Sequence, residues 1–77
     1  MDLEIISSEK VLFRGKVRRV TLPGTMGSFT VLEDHASLLS TLTPGVIEYE
    51  AEGEVKTVPI DGGFVDVNNN RVAVCLQ

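Results

Sequence analysis

Apolar and polar positions alternate in short runs along this chain, and turn-forming residues close each run. Leu3 and Ile5 flank Glu4, so Leu3 to Ile6 predicts a first strand with those two apolar side chains on one face. Ser7-Ser8-Glu9-Lys10 is a polar turn, and Val11-Leu12-Phe13 predicts a second strand closed by Gly15. Lys16 to Leu22 predicts a third, with Arg18, Val20 and Leu22 on one side and Val17, Arg19 and Thr21 on the other. Pro23-Gly24 is expected to stop it, because proline has no N–H to give a ladder and glycine admits positive φ. Gly24 to Ser28 then reads as a glycine-rich loop and Phe29 to Leu32 as the next strand. Glu33 to Ser37 is polar and irregular, with space for one helical turn, and the pattern of Leu38 to Leu42 fits a strand or a short helix.

Two hairpins complete the pattern. Val46 to Glu50 is expected to pair with Val55 to Ile60 across Ala51-Glu52-Gly53-Glu54, where Gly53 can take the left-handed conformation of a tight turn. Phe64 to Val67 is expected to pair with Arg71 to Leu76 across Asn68-Asn69-Asn70, since asparagine tolerates positive φ and hydrogen-bonds its own backbone. Valine is abundant and alanine scarce, which favours strands over helices. Many short strands at near-regular spacing predict an all-β domain, either a two-sheet sandwich or a small barrel.

With 77 residues the chain fits a single domain, residues 1–77, and has little room for a large enclosed active site beside a core. The charged fraction is 23% and aliphatic residues are plentiful, so disorder is not expected. No run of about 18 apolar residues exists to form a membrane-spanning helix. Met1-Asp2-Leu3-Glu4 lacks the basic region and long apolar stretch of a signal peptide, which predicts a protein kept in the cytosol or in an organelle that encodes it. A formal net charge of -4 argues against nucleic acid as a partner. The charge is uneven, however: Lys10, Arg14, Lys16, Arg18 and Arg19 fall together, and Glu48, Glu50, Glu52 and Glu54 follow later. Two readings stand: solvated strand edges that resist aggregation, or a polarised surface that orients a partner.

Candidate chemistry is sparse. Cys75 is the single cysteine, cannot form an internal disulfide, and reads as a small packed hydrophobe within Val72-Ala73-Val74-Cys75-Leu76. One cysteine and one histidine do not make a metal site. Asp34, His35 and Ser37 have triad residue types, but triad members normally arrive from separate parts of a fold, so a hydrolase using His35 is a remote alternative. Gly24-Thr25-Met26-Gly27 lacks the lysine and following helix of a phosphate loop and reads as a tight interstrand turn. Met26 is a flexible apolar side chain at the tip of that turn, free either to fold back onto the sandwich or to meet a partner. No cofactor is expected. By its residues alone the chain is a small non-catalytic β domain suited to interaction.

The segment Leu22-Pro23-Gly24-Thr25-Met26-Gly27-Ser28-Phe29-Thr30-Val31-Leu32, then His35-Ala36-Ser37-Leu38-Leu39 and Leu42-Thr43-Pro44-Gly45, resembles the epsilon subunit of F-type ATP synthases. Gly62-Gly63-Phe64 and Asn70-Arg71-Val72-Ala73-Val74 are similar to that family's closing β hairpin, and Leu3 to Glu9 to its opening strand and turn. The resemblance covers the whole chain. It implies a flattened two-sheet β-sandwich of short, mostly antiparallel strands. It also implies a non-catalytic rotor subunit of the central stalk that links the gamma subunit to the polar loops of the membrane c-ring. Catalysis would then lie on other subunits, and proton-driven rotation would pass through this one.

By the same resemblance, Thr25, Met26, Gly27 and Ser28 would face the c-ring, and His35, Leu39 and Thr43 the gamma and c-ring side. Ser28 stands where some members carry an acidic residue, which puts a salt bridge from that position to the ring in doubt, and Ser37 stands where proline is frequent, which leaves that bend less constrained. The implied location is peripheral, on the cytoplasmic face of a bacterial inner membrane or the stromal face of a thylakoid, without insertion into the bilayer. Most members continue into a two-helix regulatory domain. Here the sequence stops at Gln77, which fits either a naturally short subunit or the first domain of a longer one; the lack of a linker or helix start after Leu76 slightly favours the short form, which would have neither helical inhibition nor ATP sensing. A free-standing ligand-binding β-sandwich is the alternative from another functional class.

Overall fold

The computed structural model describes residues 1–77 and contains nine strands and no helix. They are β1 (Asp2–Ile6), β2 (Val11–Lys16), β3 (Arg19–Gly24), β4 (Gly27–Leu32), β5 (Leu38–Leu42), β6 (Gly45–Ala51), β7 (Glu54–Ile60), β8 (Gly63–Asn68) and β9 (Arg71–Leu76). The pairing is β2-β1-β9-β8-β5 on one side and β4-β3-β6-β7 on the other, and a single bridge, Gly24 to Leu42, joins them. Only β1 and β9 run parallel. The expected all-β sandwich is therefore present, flattened to 25 × 24 × 18 Å.

Period-2 patterning explains the layers. Leu3 and Ile5, Val20 and Leu22, Ile47 and Tyr49, Val65 and Val67, and Val72 and Val74 all point inward, and fourteen buried apolar side chains form one core with no buried polar residue among them. Each fully buried aliphatic side chain contributes about 1.5–3 kcal/mol relative to exposure. The Phe13 and Tyr49 rings close one flank, with centroids 4.4 Å apart.

Both ends of β3 differ from the sequence expectation, each for a physical reason. Lys16 ends β2 rather than opening β3, because Val17 and Arg18 form a corner between the sheets. The Val17 amide donates to Met1 O and the next amide, Arg18, to Glu50 O, both at 2.9 Å. This corner buries Val17 and exposes Arg18, the reverse of the alternation expected. Secondly, Pro23 and Gly24 do not stop β3, which pairs through Pro23–Ser28 and Gly24–Gly27. In a strand a residue's N–H and C=O point the same way. The Pro23 carbonyl accepts from Thr43 N at 2.8 Å, so its missing N–H faces the gap where the neighbour of β3 changes from β6 to β5. No ladder bond is lost. Of the two readings left open for Leu38 to Leu42 the strand is the one formed, and Glu33 to Ser37 contains no helical turn.

The two predicted hairpins close with left-handed residue pairs, Glu52 (φ 53°) with Gly53 (φ 77°) and Asn69 (51°) with Asn70 (60°), the primed geometry that matches strand twist. Gly63 is required by space. Its φ is 145°, and a Cβ there would collide with the Cys75 carbonyl oxygen across the β8–β9 pair.

Candidate protein-interaction site

The β3–β4 hairpin is tight, with only Thr25 and Met26 between the strands. Neither has positive φ; Gly27, just past the tip, takes φ 125°. This hairpin is fastened to β5. Thr25 N donates to Thr41 O at 3.1 Å, the Thr25 and Thr41 hydroxyls lie 2.9 Å apart, and Gly24 bridges Leu42. Gly24 is itself buried, and a Cβ on it would press on Gly27 O and the Phe29 ring at 2.8–2.9 Å. The tip is thus fixed while its side chains project outward.

Met26 is 98% exposed, Leu39 on β5 is 73% exposed and Phe64 on β8 is 49% exposed. Met26 therefore does not fold back onto the sandwich. Thr25, Met26, Leu39, Ser40, Thr41 and Phe64 line one open depression of about 570 Å³. A second, adjoining one takes in Met26, Gly27, Ser28, Phe29, His35 and Leu39. Six of the seven expected interface residues (Thr25, Met26, Gly27, Ser28, His35 and Leu39) are thus brought to one end of the domain. Thr43 is not. It sits half-buried in the β5–β6 connection, its hydroxyl turned to the Pro23 and Pro44 carbonyls at 3.5 and 3.2 Å. Ser28 belongs to β4 rather than to a loop.

The segment carrying His35 is clipped to the β8–β9 turn. Asp34, at φ 63°, donates its amide to Asn70 Oδ1 at 2.6 Å and accepts from Asn70 Nδ2 at 3.2 Å. Ser37 Oγ donates to Asn68 Oδ1 at 3.4 Å. His35 Nδ1 lies 2.7 Å from the carbonyl of Ala36. Acid, imidazole and hydroxyl each bond elsewhere, so the arrangement of a catalytic triad is not formed. No group of three or more His, Cys, Asp or Glu side chains stands in position to hold a metal.

One apolar feature escaped sequence reading. Cross-strand partners share a face. Thr41 pairs Phe64, Phe64 pairs Cys75, Cys75 pairs Ile6, and Ile6 pairs Val11. This makes a stripe across the outer face of the sheet from β5 to β2, with Val11 47% exposed and Cys75 and Ile6 half-exposed. Cys75 is accordingly not a fully packed core residue. The signal was present in part, because Phe64 is in phase with Asp66 and out of phase with Val65 and Val67. Val11 was hidden by a register shift between Ile5 and Ile6 that places Leu12 outside the pairing and reverses the phase of β2.

The basic cluster resolves mostly into local pairs. Arg14 meets Glu4 at 2.6 Å, Lys16 meets Asp2 at 2.9 Å, and Arg19 meets Glu48 at 2.9 Å and Glu50 at 3.4 Å. These are charged strand faces rather than a free cationic surface. The Lys16 hydrogen bond, then its charge, hold the Asp2 carboxyl below its ordinary value. No helix is long and apolar enough to cross a membrane.

Residues 1–77 match the family model described as the ATP synthase delta/epsilon chain β-sandwich domain. An ATP synthase epsilon chain from Nitratiruptor sp. is 44% identical over 78 residues, covering all of this chain and 60% of that protein. Its counterpart from Leptospira borgpetersenii is 36% identical over 74 residues, covering 96% of this chain and 58% of that one. Among solved structures, a chain in the Euglena gracilis mitochondrial ATP synthase (OSCP, F1 and c-ring) superposes with a TM-score of 0.89 at 27% identity, over 96% of this chain and 48% of that one. A chain in the central stalk and c-ring of the Tetrahymena thermophila enzyme shares the fold, with a TM-score of 0.85 at 19% identity over 99% of this chain and 62% of that one. This chain thus spans 58–60% of the length of those two bacterial relatives. The sandwich topology, the match over every residue and the identities above agree, and the chain belongs to the family of ATP synthase delta/epsilon β-sandwich domains.

Proposed function

We propose that the chain is a non-catalytic rotor element of an F-type ATP synthase, seated between the gamma subunit and the polar loops of the c-ring. The observation that carries this reading is the exposed apolar end built from Met26, Leu39 and Phe64 on a hairpin fastened to a second sheet. Torque passes through a contact only if neither partner yields, and a turn tied at backbone and hydroxyl to β5 resists bending better than a free loop. The hairpin tip with Ser28 is assigned to the c-ring. His35 and Leu39 lie where the c-ring and gamma surfaces meet, and the apolar stripe from Phe64 to Val11 offers gamma a desolvated contact. Thr43 supports the hairpin base through Pro23.

In this role catalysis belongs to other subunits and the chain binds no cofactor. It is peripheral to the membrane, on the cytoplasmic face of a bacterial inner membrane, held there by protein contacts alone. A free-standing ligand-binding sandwich gains no support, because fourteen apolar side chains fill the space between the sheets. Co-expression with the cognate gamma subunit tests the proposal. A one-to-one complex that survives gel filtration is expected; separate elution of the two chains would contradict it.

A further inference from the structure

We infer that His35 makes docking of this end onto the c-ring sensitive to pH, with the neutral imidazole as the docking form. The inference rests on the rotor reading above and adds to it the chemistry of one contact. Nδ1 faces the Ala36 carbonyl at 2.7 Å. A carbonyl has no proton to give, so Nδ1 must donate in either charge state. Nε2 is therefore the nitrogen left open to a proton or a partner, and it makes no hydrogen bond within the chain. The backbone amide of His35 is fixed to Leu32 O at 3.2 Å and its neighbour Asp34 is clipped to Asn70, so the ring's attachment is held in place.

The surroundings decide the sign. The depression beside His35 is lined by Met26, Phe29, Leu38 and Leu39, with Ser28 and Ser40 as uncharged polar groups. No charged side chain of β3, β4 or β5 lines it. In the connection itself, Glu33 turns to the amino group of Met1 at 3.7 Å and the Asp34 carboxylate accepts from Asn70. Asn68 at the end of β8 and Asn70 on the β8–β9 turn are uncharged. On β8, Asp66 pairs opposite Leu39 and shares its face, but its side chain does not reach the lining of the depression. A partner closing over this end removes water from the imidazole, and no carboxylate of this chain forms an ion pair with it. Desolvation penalises the imidazolium far more than the neutral ring. The free form then binds more protons than the docked one, so docking weakens as pH falls.

Exclusion of the imidazolium from the docked state weakens binding about tenfold between about pH 8 and about pH 5.5. The test uses the complex of this chain with its cognate gamma subunit, captured on immobilised detergent-solubilised c-ring at constant ionic strength. Wild type is expected to show the tenfold loss in acid, and His35→Gln an affinity independent of pH, whatever its absolute value. Equal pH dependence in both, no dependence in wild type, tighter capture in acid, or no capture at about pH 8 would each overturn the inference. Failure to form the gamma complex is a separate outcome, because it removes the rotor reading itself.

Discussion

Replacing Gly63 by alanine should cost far more than the same change at Gly53, although both glycines have positive φ. At Gly53 (φ 77°) nothing lies within 4 Å of an added Cβ, so the cost is backbone strain alone, about 1–2 kcal/mol. At Gly63 (φ 145°) the same atom meets Cys75 O and lies 3.0 Å from Leu76 Cα. Those are backbone atoms and cannot rotate away. Relief requires β8 to separate from β9 around the Gly63–Leu76 and Phe64–Cys75 pairs, which loosens ladder bonds worth about 0.5–1.5 kcal/mol each. With strain of about 1–3 kcal/mol and two such bonds, the total is about 2–6 kcal/mol. At about 0.05–0.15 kcal/mol per residue, that is a large share of the stability of a domain this size. Thermal unfolding followed by circular dichroism reads the difference. Gly53→Ala should lower Tm by about 4–8 °C per kcal/mol lost, whereas Gly63→Ala should lose about 20 °C or fail to fold. Equal shifts in the two variants would refute the steric argument.

Leu22→Ala, which empties a fully buried site between the sheets, should cost about 2–5 kcal/mol in urea unfolding with an unchanged slope. Asn70→Gly keeps a residue that tolerates left-handed backbone but removes both clips to Asp34, and should speed amide exchange at Asp34 and His35 while changing Tm little. Met26→Asp alters a side chain that is 98% exposed, so stability should hold while c-ring capture falls at least about tenfold, as for a truncated interface anchor. The Asp2 carboxyl is held below its ordinary value by Lys16, so its contribution is present above the unfolded-state pKa and lost as pH falls through the folded one. Lys16→Met should therefore shrink the acid-side slope of stability in that window, and acid titration of Tm for the two proteins measures it.

The strands and the core were legible because period-2 patterning and turn chemistry agreed. Leu3 with Ile5, Val65 with Val67, and the Asn68–Asn70 turn all stand where alternation and asparagine's tolerance of positive φ put them. The corner at Val17-Arg18 was not legible, since it depends on two successive amides finding acceptors in different sheets. The continuation of β3 through Pro23 depends likewise on where β6 gives way to β5. Glu52 in the left-handed region gave no advance sign, because the neighbouring Gly53 looked sufficient. For the candidate site, the segment from Thr25 to Ser28 and the residues His35 and Leu39 were identified by resemblance, and the structure gathers them at one end. Phe64 joins that end only through the β5–β8 register, and the stripe to Val11 only through the shift in β1–β2 pairing. Local patterning carries no information about such long-range registers.

The central claim is that this domain and the c-ring move as one body. A disulfide between a cysteine at the exposed tip (Met26→Cys in a Cys75→Ser background) and a cysteine in the c-ring polar loop, formed in the assembled enzyme, tests it directly. The account predicts that the cross-link forms and that proton-driven ATP synthesis continues at close to its uncross-linked rate. Efficient cross-linking that stops synthesis would contradict it, because the two surfaces would then have to slide past each other during turnover.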